Sequence, residues 1–204
     1  MKNRILLLIA AAVMIMACGN HVSDVEIIPI QDNPTPRLMY VIDSCGVTPD
    51  AVDYIFITHL HGDHIGGLMK DGTAAFPNAK LYINKVEYDA WMANPQPSLL
   101  AITEAYNGRL KTFAIEDSLP YGVEAIEAYG HTAGHTVYKV GNNLIVGDIM
   151  HGVALQLEHP QYCARFDADH QQSIQTRKEI LQMGKDQGLK LYGMHFPAPH
   201  YICY

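Results

Sequence analysis

The sequence predicts an α/β fold in which two β layers face each other, helices cover the outside, and ligand-bearing loops meet at one edge. Three observations predict it. Short apolar runs of β type alternate with helical stretches along the 204 residues. The run Tyr54–Thr58 is apolar almost throughout, as suits a strand covered on both faces. Residues of metal-ligand type recur just beyond strand ends: at His59, His61, Asp63 and His64, at His131 and His135, at Asp148, and at His195.

The elements follow in order. Lys2 and Arg4 precede an apolar run from Ile5 to Met16, the pattern of a signal peptide and short for a membrane-spanning helix. Ile15-Met16-Ala17-Cys18 resembles the lipobox of bacterial lipoproteins, which implies cleavage before Cys18, a lipid on that residue and a place in the bacterial cell envelope. An ordinary secretory signal cut nearby is the alternative. The chain then divides into a leader over 1–17, an anchor and Pro-containing tether over 18–37, and one domain over 38–204.

Within the domain, Leu38–Ile42 reads as a strand ending at Asp43, and 46–53 as a connector. After Tyr54–Thr58 and the His-rich loop, Ile65–Lys70 reads as a short helix. Ala79–Ile83 is a strand; Asn84 caps a helix to about Ala93, and Ser98–Asn107 is another. Lys111–Ile115, Val123–Ala128, Thr136–Val140 and Leu144–Val146 are short strands, the last two joined by a turn at Gly141-Asn142-Asn143. Asp169 opens a long helix to about Asp186, Gly188 stops it, and Leu189–Tyr192 is the final strand.

Charge narrows the function. Without the leader, 12 of the 14 Lys and Arg stand against 21 Asp and Glu, a net charge of −9. That balance, with no basic run, argues against sequence-independent binding to nucleic acid. Cys45, Cys163 and Cys203 are odd in number and lack CxxC spacing, so they read as structural.

The chemistry sits in the ligand-type residues. In an extended backbone, residues two apart project to one side, so His59 and His61 can face one ion while Asp63 and His64, beyond Gly62, face another. Imidazole mixed with carboxylate suits zinc, with iron, manganese or cobalt as alternatives.

Four motifs, HLHGDH (59–64), GHTAGH (130–135), GD (147–148) and the late His195, resemble those of the metallo-β-lactamase fold superfamily of metallohydrolases. The resemblance covers residues 38 to about 200 and implies an αβ/βα four-layer sandwich. It implies two divalent ions, with His59, His61 and His131 on one, Asp63, His64 and His195 on the other, and Asp148 between them. It favours His131 over His135, which is left to support the site by hydrogen bonding. A hydroxide bridging the ions is then the nucleophile, and Asp63 and Asp148 are the candidate catalytic residues that orient it. Ala75-Phe76-Pro77-Asn78-Ala79, Glu87-Tyr88-Asp89-Ala90-Trp91 and Gly147-Asp148-Ile149-Met150-His151 look like the branch containing methyl parathion hydrolase and lactonase-like enzymes. The expected substrate is a small molecule with an ester, lactone or phosphotriester bond. A lipid-anchored metal-binding protein without turnover and an iron-dependent oxidoreductase are the competing readings.

The chain departs from the family in one place. Only about ten residues separate Val41–Gly46 from the strand before HLHGDH, which predicts a first sheet short of strands. Three assignments stay open: His151 as pocket residue or plain loop, His200 as the alternative to His195, and Trp91, Tyr88 and Met92 as pocket wall or core.

Overall fold

The computed structural model describes residues 47–204 in full and, before them, the backbone of three strands. In chain order the strands are β1 (Arg4–Ile9), β2 (Val13–Ala17), β3 (Val25–Pro29), β4 (Val52–Ile57), β5 (Met69–Lys70), β6 (Thr73–Ala74) and β7 (Lys80–Asn84). There follow β8 (Leu110–Phe113), β9 (Glu124–Glu127), β10 (Thr136–Val140), β11 (Asn143–Gly147), β12 (Lys190–Gly193) and β13 (Tyr201–Cys203). The α-helices are α1 (Gly62–Ile65), α2 (Lys85–Met92), α3 (Pro97–Ala105), α4 (Val153–Glu158) and α5 (His170–Gln187). One sheet runs β3-β2-β1-β4-β7-β8, the other β13-β12-β11-β10-β9, and β5 with β6 forms a small hairpin.

Period-2 alternation sorts the core into three layers. Ile55, Ile57, Leu81 and Ile83 face α3, packing with Leu99, Ile102 and Tyr106. Phe56 points the other way, into a layer between the sheets with Phe113, Tyr138, Ile145 and Tyr192. Val137, Leu144, Val146 and Leu191 face outward from the second sheet, against Ile180 of α5 and Val153 of α4. Helix, sheet, sheet, helix is the four-layer sandwich expected from the sequence.

Local chemistry sets the ends. The Asn84 side chain accepts from Val86 N–H at 2.9 Å and starts α2. Asp169 accepts from Gln172 N–H at 3.0 Å and starts α5, and Gly188, at φ +62°, ends it. Pro97 occupies the first turn of α3, where its missing N–H costs nothing.

Several expectations are corrected. The helix placed at Ile65–Lys70 is instead α1, which starts at Gly62 and gives way to a 3-10 turn at Gly66–Leu68. Two adjacent glycines there are poor helix formers, and Asp71-Gly72, both at positive φ, turn the chain into the β5–β6 hairpin. The helix α4 and the strand β13 carry no strong sequence pattern and were not expected.

The first sheet differs too. It was expected to be short of strands, and it has six. Three come from residues 4–29, the stretch read as leader and tether: β1 lies parallel to β4, with β2 and β3 antiparallel beyond it. An apolar run rich in Ile, Leu and Val satisfies a leader and a buried strand alike. The expected strand Leu38–Ile42, the Val41–Gly46 segment, Cys18 and Cys45 lie outside the described residues. Cys163 and Cys203 are free thiols.

Phe56 tests the inter-sheet layer. Its ring stacks on Tyr82 at 5.2 Å, sits 5.6 Å from Tyr138, and is fully buried. Phe56→Ala is expected to cost about 3–5 kcal/mol, because the rigid sheets cannot collapse into the void. Denaturant unfolding measures it; a loss below about 1 kcal/mol would contradict this packing.

Candidate metal centre

The site forms where the two sheets are stitched together. Tyr138 Oη, from β10, donates to Ile57 O at 2.9 Å, and Thr136 N–H donates to Thr58 O at 2.9 Å. These bonds fix the end of β4 beside the start of β10. The loop carrying His59, His61, Asp63 and His64 is thereby held against the loop carrying His131 and His135. His61 is the N-cap residue of α1, whose first turn holds Asp63 and His64.

Asp148 follows β11 and enters from the second sheet. Gly147, before it, has φ +53°, and a Cβ there would meet His135 Nε2 at 2.5 Å. Only glycine lets the chain pass. Asp148 N–H donates to His135 Nε2 at 3.1 Å. His135 therefore supports the turn, in agreement with its expected role.

Five imidazoles converge on the Asp148 carboxylate. The nearest nitrogens of His64, His151, His195, His131 and His59 lie 3.2, 3.2, 3.3, 3.5 and 3.8 Å from its oxygens. Two groups could each hold a metal: His59, His61, His131 and Asp148, and Asp63, His64, Asp148 and His195. All seven residues expected from the sequence are in them, and Asp148 is in both. Within each group the donor atoms lie within 4.8 Å of one another. Ligands of one tetrahedral ion, at bonds of about 2.0–2.1 Å, stand about 3.4 Å apart, so the groups are near that geometry.

The donor set fits divalent ions on further grounds. His59 Nε2, both ring nitrogens of His64 and Asp148 Oδ1 are buried without a hydrogen-bond partner among the described residues. His61 Nδ1 and His131 Nε2 face each other at 3.0 Å. Buried polar atoms are normally satisfied, so a cluster of bare lone pairs is the signature of a site made for cations. Burial, with His64 close by, holds His59 well below its ordinary pKa. Burial and His131 bring His61 down to about 4 and His135 to about 3. Burial pushes the Asp148 carboxyl up but is outweighed by His64 and by hydrogen bonds from His151 and His195, so it stays ionised. Neutral His59 and His61 beside an ionised Asp148 are in the protonation state a metal requires.

The open assignments resolve. His195, not His200, reaches the cluster, and His200 Nδ1 lies 3.0 Å from Phe196 O instead. His151 is in the site, its ring 4.9 Å from that of His195 and nearly parallel to it. Trp91 meets the His61 ring edge-on at 5.5 Å, while Tyr88 and Met92 pack on the core. A cavity of about 370 Å³ opens over the cluster, walled by His61, Asp63, His131, His151, His195 and Phe166.

Sequence reasoning missed three supporting residues. Asp167 Oδ1 binds His131 Nδ1 at 2.8 Å, so that Nε2 faces the metal groups. His131, His151 and Asp167 form a third cluster of donor atoms, but that bond occupies the Nδ1 face of His131. Arg177, fully buried, contacts Asp167 at 3.4 Å and donates to the carbonyls of Ile149, Pro160 and Tyr162. It ties down the loop that carries Phe166 and Asp167. Glu87, also fully buried, binds the two His-bearing loops. Asp167 lies just before the cap read at Asp169 and has no distinguishing pattern, and Glu87 stood in the branch-like run Glu87–Trp91 with no role assigned to it.

Known proteins agree with this architecture. An N-acyl homoserine lactonase of Bacillus thuringiensis is 28% identical over 99 residues, 48% of this chain and 37% of the relative. A hydroxyacylglutathione hydrolase of Vibrio vulnificus is 28% identical over 165 residues, 80% of this chain and 55% of the relative. The chain thus spans about a third to a half of the length of these relatives. Among solved structures, AbOPH, a hydrolase in the beta lactamase superfamily, superposes with a TM-score of 0.78 at 26% identity, over 93% of this chain and 73% of the other. AidC, a dizinc quorum-quenching lactonase, superposes equally well over the same shares at 24% identity. The sequence profile of the Metallo-beta-lactamase superfamily matches residues 31–195, and the chain belongs to that superfamily.

Proposed function

We propose that this protein is a dinuclear metallohydrolase that cleaves an ester-type bond, a lactone first, in a small molecule. The observation that carries the reading is Asp148, shared by two ligand groups on the floor of the cavity. His59, His61 and His131 would hold one ion, Asp63, His64 and His195 the other, and Asp148 would bridge them. When bound, two divalent ions, zinc first among the candidates, supply a hydroxide nucleophile at neutral pH and polarise the scissile oxygen.

The chain's own residues do the rest. Asp63, half exposed at the cavity wall, and Asp148, buried on its floor, are placed to orient the nucleophile and to carry a proton toward the leaving group. His151 holds Asp148 from the cavity floor through Nε2, 3.2 Å away, and its ring lines the space a substrate would occupy. Phe166 offers an apolar wall to the non-reacting part of a small substrate. The lactonase and hydroxyacylglutathione hydrolase names among the relatives support a carbonyl substrate. Asp63 and His195, grouped with His64 and Asp148, favour two ions over an iron-dependent oxidation.

Protein loaded with zinc is expected to hold about two ions per chain and to hydrolyse members of a lactone, ester, thioester and phosphotriester panel, with activity lost to chelator. Asp148→Asn should cut kcat/KM by about 10²–10³-fold, the scale of removing one charge-orienting group. A single ion per chain, or a loaded protein inert across the panel, would sink the proposal.

The imidazoles also set a pH dependence. Folded pKa values of about 4 for His61 and about 3 for His135 lie below the unfolded value of 6.5. The unfolded chain takes up protons first as pH falls. Stability of the metal-free protein is therefore full above pH 6.5 and declines as pH drops toward 4, and the depressed Asp148 acts in the same direction. Melting temperature of chelated protein across pH 8 to 4 measures this; a flat profile would contradict it.

Attachment to the cell envelope through a lipid on Cys18 is a separate proposal, carried by the leader pattern of residues 1–18. No described helix is long and apolar enough to cross a membrane. Cleavage before Cys18 would remove β1 and β2 and leave β4 paired with β7 alone. Mass spectrometry of the membrane fraction is expected to find a mature chain that starts at acylated Cys18. Recovery only of chain that begins at Met1, or unchanged fractionation of Cys18→Ser, would refute it.

A further inference from the structure

Glu87 lies in the first turn of α2 and is completely buried. Its Oε1 accepts from Leu60 N–H at 2.9 Å. Its Oε2 accepts from Thr132 Oγ1 at 2.7 Å and from Gly134 N–H at 2.9 Å. Leu60 stands between His59 and His61, and Thr132 directly follows His131. One carboxylate thus grips both loops that supply the first ligand group. The fit is close: a Cβ on Gly134 would meet Glu87 N at 2.2 Å.

A structural clasp alone does not account for the charge. Among the described residues no Lys, Arg or His nitrogen lies within ion-pair distance of Glu87, whereas the other buried carboxylate that supports the site, Asp167, has Arg177. Burying a carboxylate without a counter-cation is expensive, and three donors offset only part of the cost. Two divalent ions would bring four positive charges; Asp63, Asp148 and a hydroxide answer three of them and leave one. Glu87, one residue from His59 and His61 through its bond to Leu60, is the next buried acid without a cation.

We propose that Glu87 is a positioning residue for the metal centre: it locks the His59–His61 and His131 loops together, and its charge is balanced by the bound ions. The inference rests on the dinuclear reading. It also explains why the residue is Glu and not Gln. An amide could accept from Leu60 N–H, but its NH2 would then confront the N–H of Gly134.

The test compares wild type and Glu87→Gln by zinc titration against a competing chelator, with melting temperature measured on metal-free protein. Glu87→Gln is expected to weaken zinc about 10–100-fold, the usual scale for groups that orient ligands. Its metal-free melting temperature should fall less than that of the zinc-loaded protein, because loss of the uncompensated buried charge offsets the contact of the amide NH2 with Gly134 N–H. Thr132→Val withdraws one donor and keeps the carboxylate; it should weaken zinc about 5-fold, the worth of one hydrogen bond, and serves if Glu87→Gln does not fold. Wild-type zinc affinity in whichever variant folds overturns the role, as does a lower metal-free melting temperature with unchanged affinity. Wild type that binds fewer than two ions overturns the dinuclear reading beneath it.

Discussion

The structure turns on one buried carboxylate that must not carry its charge alone. Asp148 is almost wholly removed from water, and nitrogens of five imidazoles stand within 4 Å of it. His64 and hydrogen bonds from His151 and His195 keep it ionised, while burial keeps His59 and His61 neutral and unable to share its charge. Such a cluster is therefore poor as a structural feature and good as a ligand cage. The strain is local and the support is distributed. The seam from β4 to β10, the bare Gly147 under His135, and the buried Glu87 and Arg177 each hold one loop where it would not otherwise stay.

That division of labour explains how an ordinary sandwich carries an unusual centre. The apolar layers fix the sheets by side-chain volume and alternation, which are tolerant of detail. The loops beyond the strand ends are fixed by directed hydrogen bonds from fully buried polar groups, which are not. Tyr138 belongs to both systems, since its ring packs between the sheets and its hydroxyl holds the Ile57 carbonyl. Damage to the core is thus expected to reach the centre through the seam, without any ligand being touched.

Legibility in the sequence followed the same line. All seven grouped residues were readable as candidates, because ligand-type residues beyond strand ends formed motifs that resemble those of the family. The layers were readable through short apolar runs bounded by turn residues, such as Tyr54–Thr58, Thr136–Val140 and Leu144–Val146. What could not be read depends on partners far along the chain. Glu87 meets Leu60, Thr132 and Gly134 at separations of 27, 45 and 47 residues, and on α2 alone it looks like any surface acid. Asp167 meets His131 across 36 residues. The N-terminal strands were hidden for another reason: Ile5–Ile9 and Val13–Ala17 satisfy a leader and a strand equally, so the pairing of β1 with β4 and of β2 with β1 could not be read from their composition.

The two ligand groups differ in their surroundings, and this orders the events proposed for the site. The first is enclosed: His59 and His131 are buried, Asp167 fixes the His131 ring, and Trp91 closes against His61. The second is open: the Asp63 side chain is 48% exposed and that of His195 34%. Exposed ligands hold an ion less rigidly and let its outer positions reach solvent, whereas the enclosed group is preorganised by packing on every side. The cavity reaches both groups, since His61 and His131 line it together with Asp63, His195 and the exposed Phe166. In the proposed reaction a substrate would meet the exposed Asp63 and His195 at the wall, with His151 beside them, and the buried Asp148 and His131 below. The more enclosed half would set the geometry, and the more open half would admit the substrate.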